Sequence, residues 1–297
     1  MNYRHHFHAA NFADVLKHAT LLRLIAGLQA KEKGFLYLDS HAGRGGYDLK
    51  EAATGTTRER EAEWPNGLGR IWGRRDLPPE LQAYAEAVRM FDQATRTANE
   101  GGTEEGEFPR FYPGSPWLAQ AALRAQDRAL LCERQPDEAA ALVDSFRGVR
   151  RCSVQAMDGY TAVRAYLPPP ERRALVLIDP PFEAADEWTN VITALREGLA
   201  RLPGGTFAVW YPLTARARVD AFYRQLLALP KLPPCYTVEL LIAGDGAGLK
   251  VWGCGLLVIN PPWGSARPLD AMARWLAPVL AQGDGAAGGV HWLVPEL

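Results

Sequence analysis

Asp179-Pro180-Pro181-Phe182 joins a carboxylate, two prolines and an aromatic ring in four consecutive residues. The prolines cannot donate hydrogen bonds to a sheet and each fixes φ, so the backbone there is stiff and extended. Asp179 and a main-chain carbonyl of this proline shelf can accept the two hydrogens of an amine. The ring of Phe182 can stack on a planar partner. The four residues therefore predict a site that holds a flat, amine-bearing ring, and the chemistry that we expect there is amine methylation on a nucleobase.

Four predicted strands must place this site and its neighbours. The apolar run 174–178 directly before Asp179 predicts a buried parallel strand. Three other predicted strands end in polar or glycine-rich groups: 35–38 is followed by His41, Gly43 and Gly45, 128–132 by Glu133, and 152–157 by Asp158. Ligands of a doubly wound sheet bind outside the carboxyl ends of its strands. Acids on three successive strand ends predict a nucleoside site, with Glu133 and Asp158 as partners of the ribose hydroxyls and the adenine amine.

The alternation of predicted strands and helices favours an α/β fold with a Rossmann-like, mostly parallel sheet. Helices are predicted at 11–32, capped by Asn11 and ended by Gly34, and at about 185–201 and 214–229. The runs 237–242 and 250–259 are joined by a short glycine-rich segment, which predicts a hairpin and therefore one antiparallel strand.

An insertion within the first strand–helix–strand unit explains the spacing of the acids. A nucleoside-binding acid usually follows the glycine turn by roughly 20 residues, whereas Glu133 lies much farther from Gly43. Removing residues 51–110, which mix charges with helix-forming stretches, restores the expected interval. We therefore expect a core formed by 1–50 and 111–297 and a helical insertion at 51–110. Ser115 is predicted to cap the helix 116–126 that faces the ligand.

A second motif, Asn260-Pro261-Pro262-Trp263, also follows an apolar strand, and an asparagine accepts hydrogen bonds from an amine as well as an aspartate does. Strand direction separates the two motifs. If 250–259 is the antiparallel strand, its end lies at the edge opposite the glycine turn. Asp179 then shares an edge with the other acids, and Asn260 does not.

Histidines are concentrated near the amino terminus at positions 5, 6, 8, 18 and 41. The spacing lacks an H-x-x-x-H pair and matched cysteines, so we expect no metal. We interpret Tyr3–His8 as a polar and aromatic arm able to contact RNA, with Tyr3 and His5 as substrate contacts. A terminus that simply packs down is the alternative. Lys17 and His18 lie one turn into the first predicted helix, and we expect them to face the ligand.

Composition sets few limits. The formal net charge of −1 gives no global positive field, although the amino-terminal segment and residues 201–231 are locally basic. No apolar run is long enough to span a membrane and the amino terminus lacks the apolar core of a signal peptide. We expect a cytoplasmic protein without a membrane partner, and a monomer. The four cysteines lack a C-x-x-C spacing and are expected to be buried thiols.

These residues together resemble the bacterial 23S ribosomal RNA adenine-N6 methyltransferases, a family of class I S-adenosylmethionine-dependent enzymes. The resemblance extends over nearly the whole chain. It rests on Tyr3-Arg-His5, Phe7-His8-Ala9, Asn11, Ala13–His18, Phe35–Asp39, His41-Ala-Gly43, Pro113–Pro116, Asp158-Gly159 and Asp179–Pro181. The amino-terminal block is the specific part, because Asp-Pro-Pro-aromatic occurs in many amino methyltransferases. The family's fold, a methyltransferase core with a helical insertion, agrees with the insertion expected at 51–110.

The resemblance implies roles for individual residues. S-adenosylmethionine would contact His18, His41, Ser115, Glu133, Asp158, Gly159 and Asp179. Asp179 would also be the catalytic acceptor, and Tyr3 would touch 23S ribosomal RNA. From the residues themselves, we expect Lys17, Pro180 and Phe182 to lie against the substrate base. This chain departs from the family at Phe182, where tyrosine is commoner, and in Arg44-Gly45-Gly46 of the glycine turn. The alternatives are methylation of DNA adenine or a protein glutamine, and a non-catalytic RNA-binding protein on the same fold.

Overall fold

The computed structural model describes residues 8–53, 62–100 and 107–296. Its strands are β1 Leu36–Asp39, β2 Gly46–Asp48, β3 Phe111–Pro113, β4 Arg128–Glu133, β5 Cys152–Ala156, β6 Ala174–Ile178, β7 Thr206–Leu213, β8 Cys235–Leu241, β9 Gly253–Ile259 and β10 Ala287–Val294. Its helices are α1 Phe12–Leu28, α2 Leu49–Ala53, α3 Leu68–Ile71, α4 Pro79–Glu100, α5 Ser115–Ala122, α6 Pro136–Ser145, α7 Gly159–Tyr166, α8 Glu187–Arg201, α9 Arg216–Leu227 and α10 Ala266–Leu280.

Eight strands form the central sheet in the order β10-β8-β9-β7-β6-β1-β4-β5. The pairs β4–β5, β1–β4, β1–β6 and β6–β7 are parallel, whereas β9 runs antiparallel to β7 and β8. The α/β fold with a mostly parallel sheet and the β8–β9 hairpin are thereby confirmed. The sheet also contains a second antiparallel strand, β10, which pairs with β8. This strand was not predicted, because 287–294 carries two glycines and no clear alternation. Helix α10 before it was not predicted either, although Leu269, Met272, Leu276 and Leu280 recur at helical spacing.

Helix α1 brings its side chains to the ligand edge of the sheet. The side chain of Asn11 accepts hydrogen bonds from the backbone of Ala13 and Asp14, at 2.9 and 3.0 Å, so the predicted cap is confirmed. The helix ends at Leu28, and the predicted end at Gly34 is wrong. Gly34 serves a close approach instead, since a Cβ there would lie 2.2 Å from the carbonyl oxygen of Gln126. Helix α1 is buried on most sides because α4, α5 and α10 pack around it.

The strands β2 and β3 pair antiparallel with each other, outside the central sheet. Between β2 and β3, the only regular elements among the described residues are helices. The longest of them, α4, packs against α1 and β3. We propose that 51–110 is an inserted helical unit whose base is the β2–β3 ladder. In the described ranges, none of the helices combines the length and apolar character that crossing a membrane requires.

Candidate active site

The turn after β1 joins the carboxyl ends of the neighbouring strands. The backbone N–H of Ser40 donates to the carbonyl of Leu177 in β6 at 3.0 Å, and that of Ala42 donates to Cys132 in β4 at 2.9 Å. Because β1 lies between β4 and β6, the residues that follow these strands share one edge. The strand-end constellation expected from the sequence is therefore brought together there, with Glu133, His41 and Asp179 at successive positions.

Asp179 is held by a lysine from α1. The Nζ of Lys17 lies 2.6 Å from Oδ2 of Asp179 and 2.8 Å from Oδ1 of Asp14. The second oxygen of Asp14 accepts the backbone N–H of Ala10 at 2.9 Å. Burial alone lowers the pKa of Lys17, but the charges and hydrogen bonds of both carboxylates outweigh it, so that pKa is raised well above its usual value. Lys17 is therefore a permanent cation between two acids.

One oxygen of Asp179 is left for a ligand. Within the described part of the chain, the other carboxylate oxygen, Oδ1, has no hydrogen-bond donor. The side chain of Asp179 is 15% exposed to solvent, whereas that of Lys17 is 6% exposed. The ion pair therefore fixes the carboxylate from the inner side and leaves Oδ1 as an acceptor on the open side.

A buried carboxylate, Asp39, lies at the end of β1. Its Oδ2 accepts hydrogen bonds from the hydroxyls of Tyr37 and Ser115, both at 2.7 Å, and its Oδ1 accepts the backbone N–H of His41 at 3.3 Å. Burial raises the pKa of Asp39 to about 6, and the hydrogen bonds act against that shift. Ser115 was predicted to cap α5, but the cap position is Gly114 and the serine is the first helical residue. Its hydroxyl is used by Asp39 because α5 begins directly beside β1.

Glu133 and Asp158 both make backbone contacts at the edge. The Oε2 of Glu133 accepts the N–H of Gly43 at 2.8 Å and its Oε1 accepts the N–H of Gln135 at 2.8 Å. Asp158 caps α7 by accepting the N–H of Thr161 at 2.8 Å. Gly43 has φ near +60°, a conformation that favours glycine. These bonds orient both carboxylates, and a carboxylate oxygen retains lone-pair positions for further donors.

Gly159 permits the tightest contact at this edge. A Cβ at that position would lie 1.9 Å from the carbonyl oxygen of Ser40, so only glycine lets α7 approach the turn after β1. This contact sets the position of Asp158 relative to His41.

His41 is half-buried and neutral. Burial lowers its pKa to about 4, and the nearby charges of Asp179 and Asp158 do not compensate. Its Nδ1 lies 2.7 Å from the hydroxyl of Ser40, which itself donates to the carbonyl of Leu177 at 2.9 Å. Because that hydroxyl proton is used, Nδ1 carries the imidazole proton and Nε2 is the acceptor. The ring also meets Tyr160 edge-on, with centroids 5.1 Å apart.

The proline shelf ends in an unusual backbone conformation. Phe182 has φ of 50°, which non-glycine residues rarely adopt. Its ring packs against Trp188 at 4.5 Å and Trp210 at 5.9 Å between centroids. Pro180 is buried and Phe182 is half-buried. The aromatic ring is thus fixed beside Asp179 by two tryptophans.

The other predicted contacts have different surroundings. His18 is buried, and its Nδ1 lies 2.7 Å from the hydroxyl of Tyr112, which is 2.9 Å from that of Tyr84. Its predicted cofactor contact stays a prediction. Tyr3 and His5 lie outside the described residues, so the predicted RNA-contacting arm stays a prediction as well.

Asn260 lies at the opposite edge of the sheet, as the strand-direction argument predicts. Strand β9 runs antiparallel to β7, so the end of β9 meets the beginning of β7. The side-chain amide of Asn260 donates to the carbonyls of Pro203 and Gly205, both at 2.8 Å. Its amide therefore connects two loops and is remote from the edge of Asp179.

Two acids of the site, Asp14 and Asp39, were missed as functional residues in the sequence. The spacing of Asp14 and Lys17, three residues apart on a helix, places them on one face and could have indicated an ion pair. Asp39 directly follows the apolar residues of β1, as Asp179 follows β6. The same strand-end rule applied to Asp39 would have found it.

Comparison with known proteins places these features in one family. The family model described as "Ribosomal RNA large subunit methyltransferase D, RlmJ" matches residues 32–294. The chain is 36% identical over 296 residues to "Ribosomal RNA large subunit methyltransferase J" of Haemophilus influenzae and likewise 36% identical to the Escherichia coli protein of that name, with 100% of each chain covered. A crystal structure of a Legionella pneumophila protein superposes with a TM-score of 0.82 at 30% identity, covering 97% of this chain and 99% of that one.

Proposed function

The chain belongs to the RlmJ family of ribosomal RNA large subunit methyltransferases, and we propose that it transfers the methyl group of S-adenosylmethionine to the exocyclic N6 amine of an adenine in 23S ribosomal RNA. The observation that carries this proposal is the fixed carboxylate of Asp179. It follows β6 directly, one of its oxygens is bound by Lys17 at 2.6 Å, and the other has no donor in the described part of the chain.

The adenine amine needs activation because its lone pair is delocalised into the ring. Oδ1 of Asp179 accepts one amine hydrogen and the main-chain carbonyl of Pro180 accepts the other. Two such acceptors favour a pyramidal nitrogen whose lone pair points away from both, toward the methyl donor. Positioning of this kind can supply a large part of a rate enhancement.

Lys17 orients the acceptor. Its contact with Oδ2 prevents the carboxylate from rotating, and its contact with Asp14 at 2.8 Å keeps the ammonium in place. The N6 proton leaves after the N–C bond forms, because only the methylated, cationic nitrogen is acidic enough to release it readily. It passes to Asp179 or to solvent.

The residues around the turn after β1 suit the proposed cofactor. S-adenosylmethionine, when bound, would supply an electrophilic methyl group on a sulfonium, whose S–C bond would break to leave a neutral thioether. Glu133 offers acceptors for ribose hydroxyls and Asp158 offers an acceptor for an adenine amine. Gly43 and Gly159 let the chain around both acids pack closely, against Tyr47 and Ser40 respectively. His41 is neutral and adds no positive charge beside a cationic donor. We propose that His18 and Ser115 also contact the cofactor. The hydroxyl of Ser115 is held in place by its hydrogen bond to Asp39.

The substrate base must be unpaired or turned out of a helix to reach Asp179, since N6 is engaged in pairing within a duplex. We propose that Phe182 contacts the face of that base and that Tyr3 and His5 contact the adjoining RNA. The rigid setting of Phe182 against Trp188 supports a contact that needs little reordering on binding.

The test is transfer of a tritiated methyl group to a transcript of large-subunit ribosomal RNA that carries no modifications. DNA and a glutamine-bearing protein are offered as competing acceptors, and the labelled base is mapped in the RNA. The expected result is label on N6 of one adenine. Label confined to DNA or protein would contradict the RNA assignment, and binding of RNA without any transfer would contradict the catalytic one.

A further inference from the structure

Trp263 presents a large apolar ring to solvent at a site remote from Asp179. Its residue exposure is 86%, the highest among the large hydrophobic side chains in the described ranges. It belongs to Asn260-Pro261-Pro262-Trp263, the motif that the active site leaves unused. A tryptophan exposed to this degree loses the burial that normally stabilises it.

The backbone that carries Trp263 is rigid. Asn260 has φ of 50°, and its side chain donates to Pro203 and Gly205. Pro262 packs so closely on α1 that a Cβ at Gly27 would lie 2.6 Å from it. The N–H of Ser265 then donates to the carbonyl of Pro262 at 3.1 Å. The exposed ring is therefore held on a fixed support, and binding a partner there would require little ordering of the chain.

A second tryptophan, Trp292, lies nearby on β10. Its ring meets that of Tyr236 edge-on at 5.1 Å, and the hydroxyl of Tyr236 is 2.8 Å from that of Ser265. Trp292 is 38% exposed. Two aromatic rings thus flank the start of α10.

The surroundings of Trp263 are cationic. Arg23 donates to the carbonyl of Gly264 at 3.3 Å, and Arg267 is exposed on the first turn of α10. Arg201 is exposed at the end of α8, next to the loop that the side chain of Asn260 binds, and Lys231 is exposed in the loop that its backbone binds. Arg201, Lys231 and Arg267 form no ion pair with any described residue. Two acids also lie nearby: Glu296 is close to Tyr236, and Asp270 on α10 pairs with Arg274 and accepts the N–H of Val290.

We propose that this surface, the Trp263 patch formed by Trp263, Trp292, Arg23, Arg201, Lys231 and Arg267, is a second RNA contact of the protein. Exposed aromatic rings stack on unpaired bases, and unpaired cations bind phosphates. A second copy of the chain fits less well, because a symmetric contact would bring these like charges together. An RNA partner meets both the rings and the charges.

The patch lies on the edge of the sheet opposite Asp179, because β9 ends where the parallel strands begin. A strand of the length of β6 spans roughly 17 Å, and the sheet with its covering helices lies between the two sites. One RNA can contact both sites only if it passes around the protein, which a long folded RNA can do and a short hairpin held at Asp179 cannot. The inference rests on the proposed RNA methylation. It attributes to the Trp263 patch the affinity of the protein for large RNA.

The test compares Trp263→Ala with the wild type on two RNAs, full-length large-subunit transcript and a short hairpin that carries the mapped adenine. We expect binding of the full-length transcript to weaken roughly tenfold, while kcat/KM on the hairpin is unchanged. Tyr166→Ala, which removes another exposed aromatic at the end of α7, is the matched control and should affect neither. Arg267→Ala should lower the slope of log affinity against log salt by about 1.

Three results would overturn the inference. The first is wild-type affinity of Trp263→Ala for the full-length transcript, and the second is equal impairment on the hairpin. The third is a change of oligomeric state by light scattering without any change in RNA binding, which would assign the patch to a second copy. If the wild type methylates neither RNA, the proposed function fails, and the binding comparison still tests the patch.

Discussion

Lys17 and Asp179 are 162 residues apart in the sequence, yet the ammonium of one lies 2.6 Å from the carboxylate of the other. The first helix of the chain thereby fixes the acid of the Asp-Pro-Pro motif. Since Asp14 binds the same ammonium, the three charges form a buried triad with one net negative charge. The orientation of the proposed acceptor therefore depends on helix α1, which is far from the Asp-Pro-Pro motif in the sequence.

Lys17→Met should reduce methyl transfer roughly 100-fold, because Asp179 loses the contact that orients it. It should also lower the free energy of unfolding by about 3 kcal/mol, since the two carboxylates lose the cation that lies between them. Lys250→Met, which removes an exposed lysine, is the control. Activity is measured by tritium transfer and stability by urea denaturation.

Combining Lys17→Met with Asp14→Asn separates these two effects. Asp14→Asn removes one of the two carboxylate charges beside the former lysine, so much of the lost stability should return while activity stays low. Recovery of activity together with stability would contradict an orienting role for Lys17.

Glu133→Ala should weaken binding of S-adenosylmethionine roughly tenfold or more, measured by calorimetry, because it removes the acceptors that we propose for the ribose and the bond that holds Gly43. Glu171→Ala removes an acid that pairs with Arg128 at the opposite end of β4. The Glu171 variant should bind the cofactor like the wild type. If the two variants bind S-adenosylmethionine with equal affinity, Glu133 is not part of the cofactor site.

Asp39 should make stability depend on pH. Its pKa is about 6 in the folded protein against 3.8 ordinarily, so the folded state retains a proton that the unfolded state has lost. Its contribution to the free energy of unfolding therefore falls as pH rises from about 4 to about 6, by about 3 kcal/mol in total. Above pH 6 this contribution is constant.

The comparison that isolates Asp39 is with Asp39→Asn, which does not titrate. The stability of the variant relative to the wild type should rise between pH 4 and pH 7, by urea denaturation at each pH. Parallel pH curves for the two proteins would show that Asp39 does not titrate in this range.

Phe182→Tyr should keep methyl transfer close to the wild-type rate, because the ring that we propose to contact the base is retained. Phe182→Ala should lower kcat/KM roughly tenfold, the order of one base–aromatic contact. The measurement is kcat and KM for the RNA substrate. If alanine is tolerated as well as tyrosine, the ring serves only its packing against Trp188.

Much of the site could be predicted because it follows from strand ends. Apolar runs before Glu133 and Asp179, and a mixed strand-like run before Asp158, specify both the strands and the edge where the carboxylates meet. The direction of β9 also separated Asp179 from Asn260 correctly. These inferences need only local patterns and the topology of a parallel sheet.

Contacts between distant elements could not be read in this way. The pairing of Lys17 with Asp179 and the use of the Ser115 hydroxyl by Asp39 depend on how α1 and α5 pack on the sheet. The end of α1 was misplaced because Gly34 resembles a helix stop but is required by the backbone of Gln126. Strand β10 was missed because an edge strand with glycines has little apolar alternation.

The central claim is that Asp179 accepts the amine that becomes methylated. The most direct measurement is single-turnover transfer of a tritiated methyl group to unmodified large-subunit RNA by Asp179→Ala, with cofactor binding and thermal unfolding measured on the same preparation. The account predicts a folded protein that binds S-adenosylmethionine and transfers no methyl group. Turnover at the wild-type rate by that variant would contradict it.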